Sequence, residues 1–246
     1  MKEEIYTIPV MDGLNTNSEC PFCAMEKTLE DKTIAYVLSP AYMEEDVRGE
    51  TNAQGFCKNH IRRLYQEGNS LGLGLMLHSQ LKYQHDELDK LITSLDPSGR
   101  SSKKLFAKKS TDDASPAESY RRGYIVSCYV CGRIRTTFDR YLEAFFMLYK
   151  KDPSVQQKLK EGKGFCFDHF LQLYETAGKH LKGDQLTEFR SMIIGSMDEN
   201  LKRVEDDLEW FTQKFDYRYA KEPWKNSKDA LPRTILKLRS IDLPPR

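Results

Sequence analysis

Gly55-Phe56-Cys57-Lys58-Asn59-His60 is echoed by Gly164-Phe165-Cys166-Phe167-Asp168-His169, and each stretch lies downstream of a Cys-x-x-Cys pair, Cys20 with Cys23 and Cys128 with Cys131. All six cysteines of the chain are used in this way. Three thiols and one imidazole make a complete tetrahedral ligand set for zinc, so the sequence predicts two Cys3His sites. The expected quartets are Cys20, Cys23, Cys57 and His60 in the first half, and Cys128, Cys131, Cys166 and His169 in the second.

The spacings support a repeat. Cys20 and Cys128 are offset by 108 residues, as are Cys23 and Cys131; Cys57 and Cys166 are offset by 109, as are His60 and His169. The pairs Leu64-Tyr65 and Leu173-Tyr174 follow their histidines at the same distance. Self-similarity at a fixed offset is the signature of a duplicated unit. A disulfide framework is the competing use of six cysteines, but two histidines in phase with the thiols have no role in it. The N-terminus, Met1 to Val10, has no apolar signal-like run, so the thiols are expected to sit in a reducing cytoplasm. Imidazole with thiolates suits zinc; an iron–sulfur cluster held by three cysteines and a histidine is the alternative.

A chain of 246 residues with 39% hydrophobic residues can build a sizeable core as one large or two modest domains. Lys+Arg 38 against Asp+Glu 37 leaves a net charge of +1, which offers no electrostatic case for general nucleic-acid binding. No apolar run approaches the ~20 residues that span a bilayer, so no membrane association is expected.

Helical periodicity runs through most of the chain. Met25, Leu29, Tyr36 and Val37 define a helix after the first Cys-x-x-Cys, Ser39-Pro40 opens a short helix to Arg48 stopped by Gly49, and Asp152-Pro153 opens its counterpart up to Gly162. A further helix should start at Cys57, because Cys57, His60 and Leu64 share a face. The helix N-terminus would stabilise a site of net charge −1, with Lys58, Arg62 and Arg63 assisting, while Gly55 and Gly164 allow a tight turn and close approach to sulfur. Two long helices are predicted. One covers about 71–95, with Leu77, Leu81, Leu88, Leu91, Ile92 and Leu95 as its apolar stripe; the other covers about 184–215, with Leu186, Phe189, Ile193, Met197, Leu201, Val204, Leu208, Phe211 and Phe215. Residues 132–150 present an aromatic core face, Ile134, Phe138, Tyr141, Leu142, Phe145 and Tyr149.

The expected fold is therefore all-α, a helical bundle of two duplicated metal-pinned units. Residues 1–95 form the first, 96–119 a flexible linker carrying Lys103, Lys104, Lys108 and Lys109, 120–219 the second, and 220–246 an aromatic and helical tail that wraps over the bundle, with a last helix near Thr234 to Ile241.

The Cys-Pro-Phe-Cys opening at Cys20, the two Gly-Phe-Cys-x-x-His stretches, Phe215-Asp216-Tyr217-Arg218 with Pro223-Trp224, and Ser227-Lys228-Asp229-Ala230-Leu231-Pro232-Arg233 resemble an uncharacterised bacterial and archaeal family over nearly the whole chain. The resemblance implies no activity, and the second pair, Cys128-Tyr129-Val130-Cys131, lacks the Pro-Phe of the first.

No phosphate loop, dinucleotide glycine pattern, nucleophile elbow or His-Glu-x-x-His occurs, and no catalytic residue is assigned. His78 and His85 fall close in phase on one helix beside Asp86 and Glu87, and His180 follows Gly178. Exposed or packed polar residues are the plain reading of all three. The favoured function is a zinc-binding protein, non-enzymatic, with two structural zinc ions per chain and a protein partner. An iron–sulfur or dithiol electron carrier, and an enzyme with a pocket between the halves near His78, His85 or the aromatic tail, are the two alternatives.

Overall fold

The computed structural model describes residues 2–95 and 114–243; most of the expected linker, with Lys103, Lys104, Lys108 and Lys109, lies outside the described residues. The described residues are helical and contain no strand. In chain order the helices are α1 (Lys2–Leu14), α2 (Pro21–Val37), α3 (Glu45–Gln54), α4 (Lys58–Gln66), α5 (Ser70–Leu95), α6 (Pro116–Tyr120), α7 (Tyr129–Lys151), α8 (Pro153–Glu161), α9 (Phe167–His180), α10 (Gly183–Gln213) and α11 (Ala230–Arg239). None of them is long and apolar enough to cross a membrane.

These residues divide into two compact units, one of residues 1–28 and 137–246 and the other of residues 29–136. Neither coincides with a sequence half. The division falls inside α2 and α7, each of which supplies residues to both units.

In the unit of residues 29–136, α3 packs against α5. The expected short helix from Pro40 to Arg48 is replaced by a 3₁₀ turn, Pro40–Met43, capped by Ser39, and by α3, which passes through Gly49 and ends at Gly55. Burial of Val47 and Thr51 on one face of α3 offsets the ~1 kcal/mol cost of a mid-helix glycine. The leucine stripe expected to face the core on α5 is instead turned outward: Leu77, Leu81, Leu88, Ile92 and Leu95 are all exposed, Leu81 at 72%. Leu73, Met76, Gln80 and Gln84 face inward. The reason is polar. Gln84 Nε2 donates to the Asn52 carbonyl at 2.6 Å and its Oε1 accepts from the Tyr120 hydroxyl at 3.0 Å, while Gln80 Nε2 donates to the Tyr124 hydroxyl at 3.2 Å. These bonds tie the buried face of α5 to α3, to α6 and to the π-helical turn Arg121–Ile125 that follows it. Residues 116–119, expected in the linker, thus belong to a helix.

In the other unit, α10 packs against α8, α9 and α11, and α1 against α8. The aromatic face of α7 is the core, as its spacing predicts. Phe22 meets Phe145 with ring centroids 5.1 Å apart, Phe145 meets Phe146 at 5.1 Å, and Phe189 of α10 meets Tyr149 at 5.0 Å. Such pairs add about 0.5–1.5 kcal/mol each beyond area burial. α1, which no periodicity in the sequence predicts, buries Val10 and lays Gly13 against Met25. Past α10 the tail folds back on that helix. Trp210 Nε1 donates to the Pro223 carbonyl at 3.0 Å, and Trp224 packs on Phe211 and Phe215. The buried Lys214 donates to the carbonyls of Tyr219, Ala220 and Glu222. Phe215 and Tyr217 remain 75% and 88% exposed.

Candidate metal centres

The four half-sites close into two quartets, but not the expected ones. Cys20 and Cys23 meet Cys166 and His169; Cys57 and His60 meet Cys128 and Cys131. Within each quartet the four ligand atoms lie within 4.8 Å of one another. The eight residues chosen from sequence are therefore all brought into Cys3His groups, while their partition by sequence half is corrected to a crossed one. Each Cys-x-x-Cys of one half is completed by the Cys-x-x-His of the other. The physical reason is that α2 and α7 each run on from their cysteine pair through more than one unit, so sequence proximity does not decide which Cys-x-x-His stretch faces the thiols.

The first quartet is buried throughout. Cys20 and Cys23 bracket the start of α2, and Cys166 is the N-cap of α9, its Sγ accepting the His169 backbone N–H at 3.4 Å. A helix N-terminus thus points a free N–H at the sulfur, as expected for a thiolate there. His169 Nδ1 lies 3.6, 3.3 and 3.1 Å from the sulfurs of Cys20, Cys23 and Cys166, and Cys23 and Cys166 are 3.5 Å apart. Ser240 donates to Cys166 Sγ at 3.1 Å, and the rings of Phe22 and Phe138 flank the imidazole.

A buried lysine holds the two ligand-bearing segments of this quartet together. Lys237 Nζ donates to the carbonyl of Glu19, at 2.6 Å, and to that of Lys163, and sits 3.3 Å from the Glu19 carboxylate. One acceptor precedes Cys20, and the other precedes Gly164-Phe165-Cys166. Burial holds the Lys237 ammonium below the usual lysine range, against the pull of Glu19. Arg203 also pairs with Glu19, at 2.6 Å.

The second quartet lies nearer the surface: Cys128 and His60 are buried, Cys57 and Cys131 only partly. His60 Nδ1 lies 3.2, 3.3 and 3.3 Å from the sulfurs of Cys57, Cys128 and Cys131, and Cys57 and Cys131 are 3.9 Å apart. Glu30 on α2 meets His60 Nε2 at 3.0 Å and is itself paired with Arg63 at 2.6 Å. A carboxylate on one ring nitrogen fixes the tautomer that leaves the other free to ligate. Glu26 faces His169 Nε2 in the first quartet at 3.7 Å, too far for a hydrogen bond. Arg63 is thus used on Glu30 and Asp31, not on thiolate, and Lys58 and Arg62 are exposed.

Protonation follows from crowding. The Cys128 sulfur and, less strongly, Glu30 raise the His60 pKa to about 10. Burial pushes Cys128 up, but His60 and backbone N–H groups outweigh it and bring it to about 6, while burial beside Cys128 raises Cys131 to about 12. His169 is raised to about 10 because Cys166 and Cys20 outweigh its burial. Without an ion, each quartet therefore favours a positive imidazolium against thiolate, charges that a divalent cation would replace.

The donor geometry fits one small tetrahedral ion. Bonds of about 2.3 Å to sulfur and about 2.0 Å to nitrogen give S–S edges of about 3.8 Å and S–N edges of about 3.5 Å. Every Sγ–Nδ1 and Sγ–Sγ separation given above lies within about 0.5 Å of these values. Gly55 and Gly164 turn the chain into each site with φ of 64° and 75°. The close approach their missing side chains permit is to the long helices and not to sulfur: a Cβ on Gly55 would lie 2.7 Å from Gln80 Nε2, and one on Gly164 3.2 Å from Asn200 Cβ.

This chain matches the family model DUF6062, described as a family of unknown function, over residues 1–243. It belongs to that family. Comparison with curated proteins and with solved structures gives no match.

The remaining histidines of this family member converge on no site among the described residues. His78 and His85 are exposed, His85 facing Asp89 at 3.8 Å across open solvent, and His180 stacks on Phe146 at 4.8 Å. Glu30, Lys237 and Ser240 were not singled out from the sequence. None of the three carries a usable signal: Glu30 shares a helix with Cys23, yet it serves His60 of the quartet to which Cys23 does not belong.

Proposed function

We propose that the chain is a zinc-stabilised helical protein whose two Cys3His sites are structural, and that it acts as a binding scaffold for another protein. The observation that carries this reading is closure: each quartet supplies four donors to one point. A catalytic zinc site usually has three protein ligands and one open position. Zinc bound in this way supplies folding free energy, ~10–16 kcal/mol in peptide sites, as large as the ~5–15 kcal/mol stability of a whole domain.

Zinc is favoured over an iron–sulfur cluster because a cluster binds its ligands through different irons and holds them apart, whereas these donor atoms lie within 4.8 Å of one another. The six free thiols suit a reducing compartment, the cytoplasm. A protein partner is supported by the exposed apolar positions Leu81, Ile92 and Leu95 on α5, and the near-zero net charge speaks against nucleic acid. The crossed quartets are also what a duplicated chain gives when its copies exchange ligand segments.

Elemental analysis of the native protein tests the metal, with circular dichroism before and after chelation. Two zinc ions per colourless chain and a loss of helicity on their removal are expected. Brown protein containing iron and sulfide, or helicity unchanged after both ions leave, would overturn the reading.

A further inference from the structure

The two quartets share one ligand set but differ in access. Cys20, Cys23 and Cys166 are buried, whereas Cys57 and Cys131 both reach solvent. Cys57 is the N-cap of α4 and accepts no cap hydrogen bond, and Cys131 lies in the first turn of α7. Among the described residues their sulfurs meet only other members of the quartet: each meets the other and His60, and Cys131 also meets Cys128. In the first quartet, by contrast, Cys166 accepts from Ser240 and from a backbone N–H, two bonds that reduce the nucleophilicity of its sulfur.

From this difference in access we propose that the second quartet is an oxidant-responsive site, in which hydrogen peroxide joins Cys57 to Cys131 as a disulfide and frees the ion there, while the first quartet keeps its own. The proposal rests on the metal reading above. The chemistry balances without another reductant. The Cys57 thiolate attacks a peroxide oxygen, forming an S–O bond as the O–O bond breaks, and the departing hydroxide takes a proton to leave as water. The Cys131 sulfur then displaces the sulfenic oxygen, which takes up a proton and leaves as a second water as the S–S bond forms. The two sulfurs together give up two electrons to the peroxide. Cys128 and His60 are left as a two-donor remnant that holds an ion weakly.

Distance alone would choose the other quartet, where Cys23 and Cys166 lie 3.5 Å apart against 3.9 Å for Cys57 and Cys131. Access decides instead. An oxidant must reach a sulfur before any partner can displace oxygen from it, and susceptibility follows exposure as well as thiolate character. The two sulfurs need to approach by about 2 Å to reach bonding distance. Cys57 precedes its helix and belongs to a short linking segment, Gly55 to Cys57, which makes such a shift accessible.

The experiment treats the native, metal-loaded full-length protein with increasing hydrogen peroxide. Released ion is followed with a chelating dye, and free thiols are then alkylated and located by peptide mapping. The expected result is one ion released per chain, a Cys57–Cys131 disulfide, and Cys20, Cys23 and Cys166 still reduced. Alkylation of untreated protein should label Cys57 and Cys131 at least about tenfold faster than Cys20 and Cys166. Simultaneous release of both ions, or first modification at Cys20, Cys23 or Cys166, would overturn the proposal and leave the metal reading standing. Protein that carries no metal before treatment would overturn the metal reading and with it the ion-release step, whatever the order of alkylation.

Discussion

Two double substitutions decide whether the quartets are crossed. Cys20→Ser with Cys166→Ser removes two ligands from one quartet, whereas Cys20→Ser with Cys57→Ser removes one from each. After a chelator wash, the first variant should retain one ion per chain and the second none; pairing by sequence half would give the reverse. Stability carries the same information. An ion in the first quartet closes the chain between Cys23 and Cys166, 143 residues apart, and one in the second closes it between His60 and Cys128, 68 apart. Treated as cross-links, these loops restrict the unfolded chain by about 5 and about 4 kcal/mol. Losing the first should lower the melting temperature by about 10–20 °C. Adding Cys166→Ser to Cys20→Ser should then change little, while adding Cys57→Ser should cost a further few kcal/mol, so strong non-additivity belongs to the same-quartet pair only. Metal content by elemental analysis and thermal melts by circular dichroism read both effects. One ion in the Cys20→Ser, Cys57→Ser variant and none in the other would refute the crossed arrangement.

Glu30→Gln should weaken metal binding at the second quartet by about 10–100-fold in a competitive chelator titration, because it removes the carboxylate 3.0 Å from His60 Nε2. Glu26→Gln should have a smaller effect at the first quartet, where the separation is 3.7 Å. Lys237→Met should destabilise the protein by about 3–5 kcal/mol in denaturant melts, since it leaves two carbonyls and the buried Glu19 carboxylate short of a donor, and binding of the ion at the second quartet should persist. In metal-free protein His60, at about 10, and Cys131, at about 12, are protonated near neutrality and must lose those protons to ligate. Apparent affinity at that site should therefore fall as pH falls, by about two decades or more per unit below about pH 10 and above about pH 6, where Cys128 titrates. A pH-independent affinity across that window would contradict the assignment.

The ligand set was legible because thiols and imidazoles at Cys-x-x-Cys and Cys-x-x-His spacing have few other uses. The pairing was not. An offset of 108 or 109 residues relates equivalent half-sites and is equally compatible with closure inside each half or across the halves. What selects one closure is helix packing over long range, such as the aromatic contacts of Phe22 with Phe138, Phe145 and Phe165, and no local pattern encodes those. The long helices were legible in extent. The face of α5 was not, since periodicity counts leucines, whereas the buried Gln84 has both ends of its amide satisfied by Asn52 and Tyr120, and the buried Gln80 donates to Tyr124 while its Oε1 has no partner among the described residues. A buried amide with both partners supplied loses little on desolvation, so an apolar stripe can be left in solvent.

Crossing also changes what ions bound in the quartets would do to the chain. Closure by sequence half would make two separate loops of 34 and 35 residues, Cys23 to Cys57 and Cys131 to Cys166, each half pinned on its own. The crossed quartets are nested: the loop from His60 to Cys128 lies wholly within the one from Cys23 to Cys166. With the inner loop closed, the outer one is shortened to the two connecting segments, Cys23 to His60 and Cys128 to Cys166. Halving its effective length makes outer closure easier by about 0.6 kcal/mol. The inner quartet thus favours the outer one through chain entropy alone, and the outer one is the quartet with the buried sulfurs, the Ser240 bond and the Lys237 tie. A chain built this way would have its more accessible centre inside the segment that its less accessible centre encloses, so loss of an ion from the former would loosen the loop while an ion in the latter still joined Cys23 to Cys166.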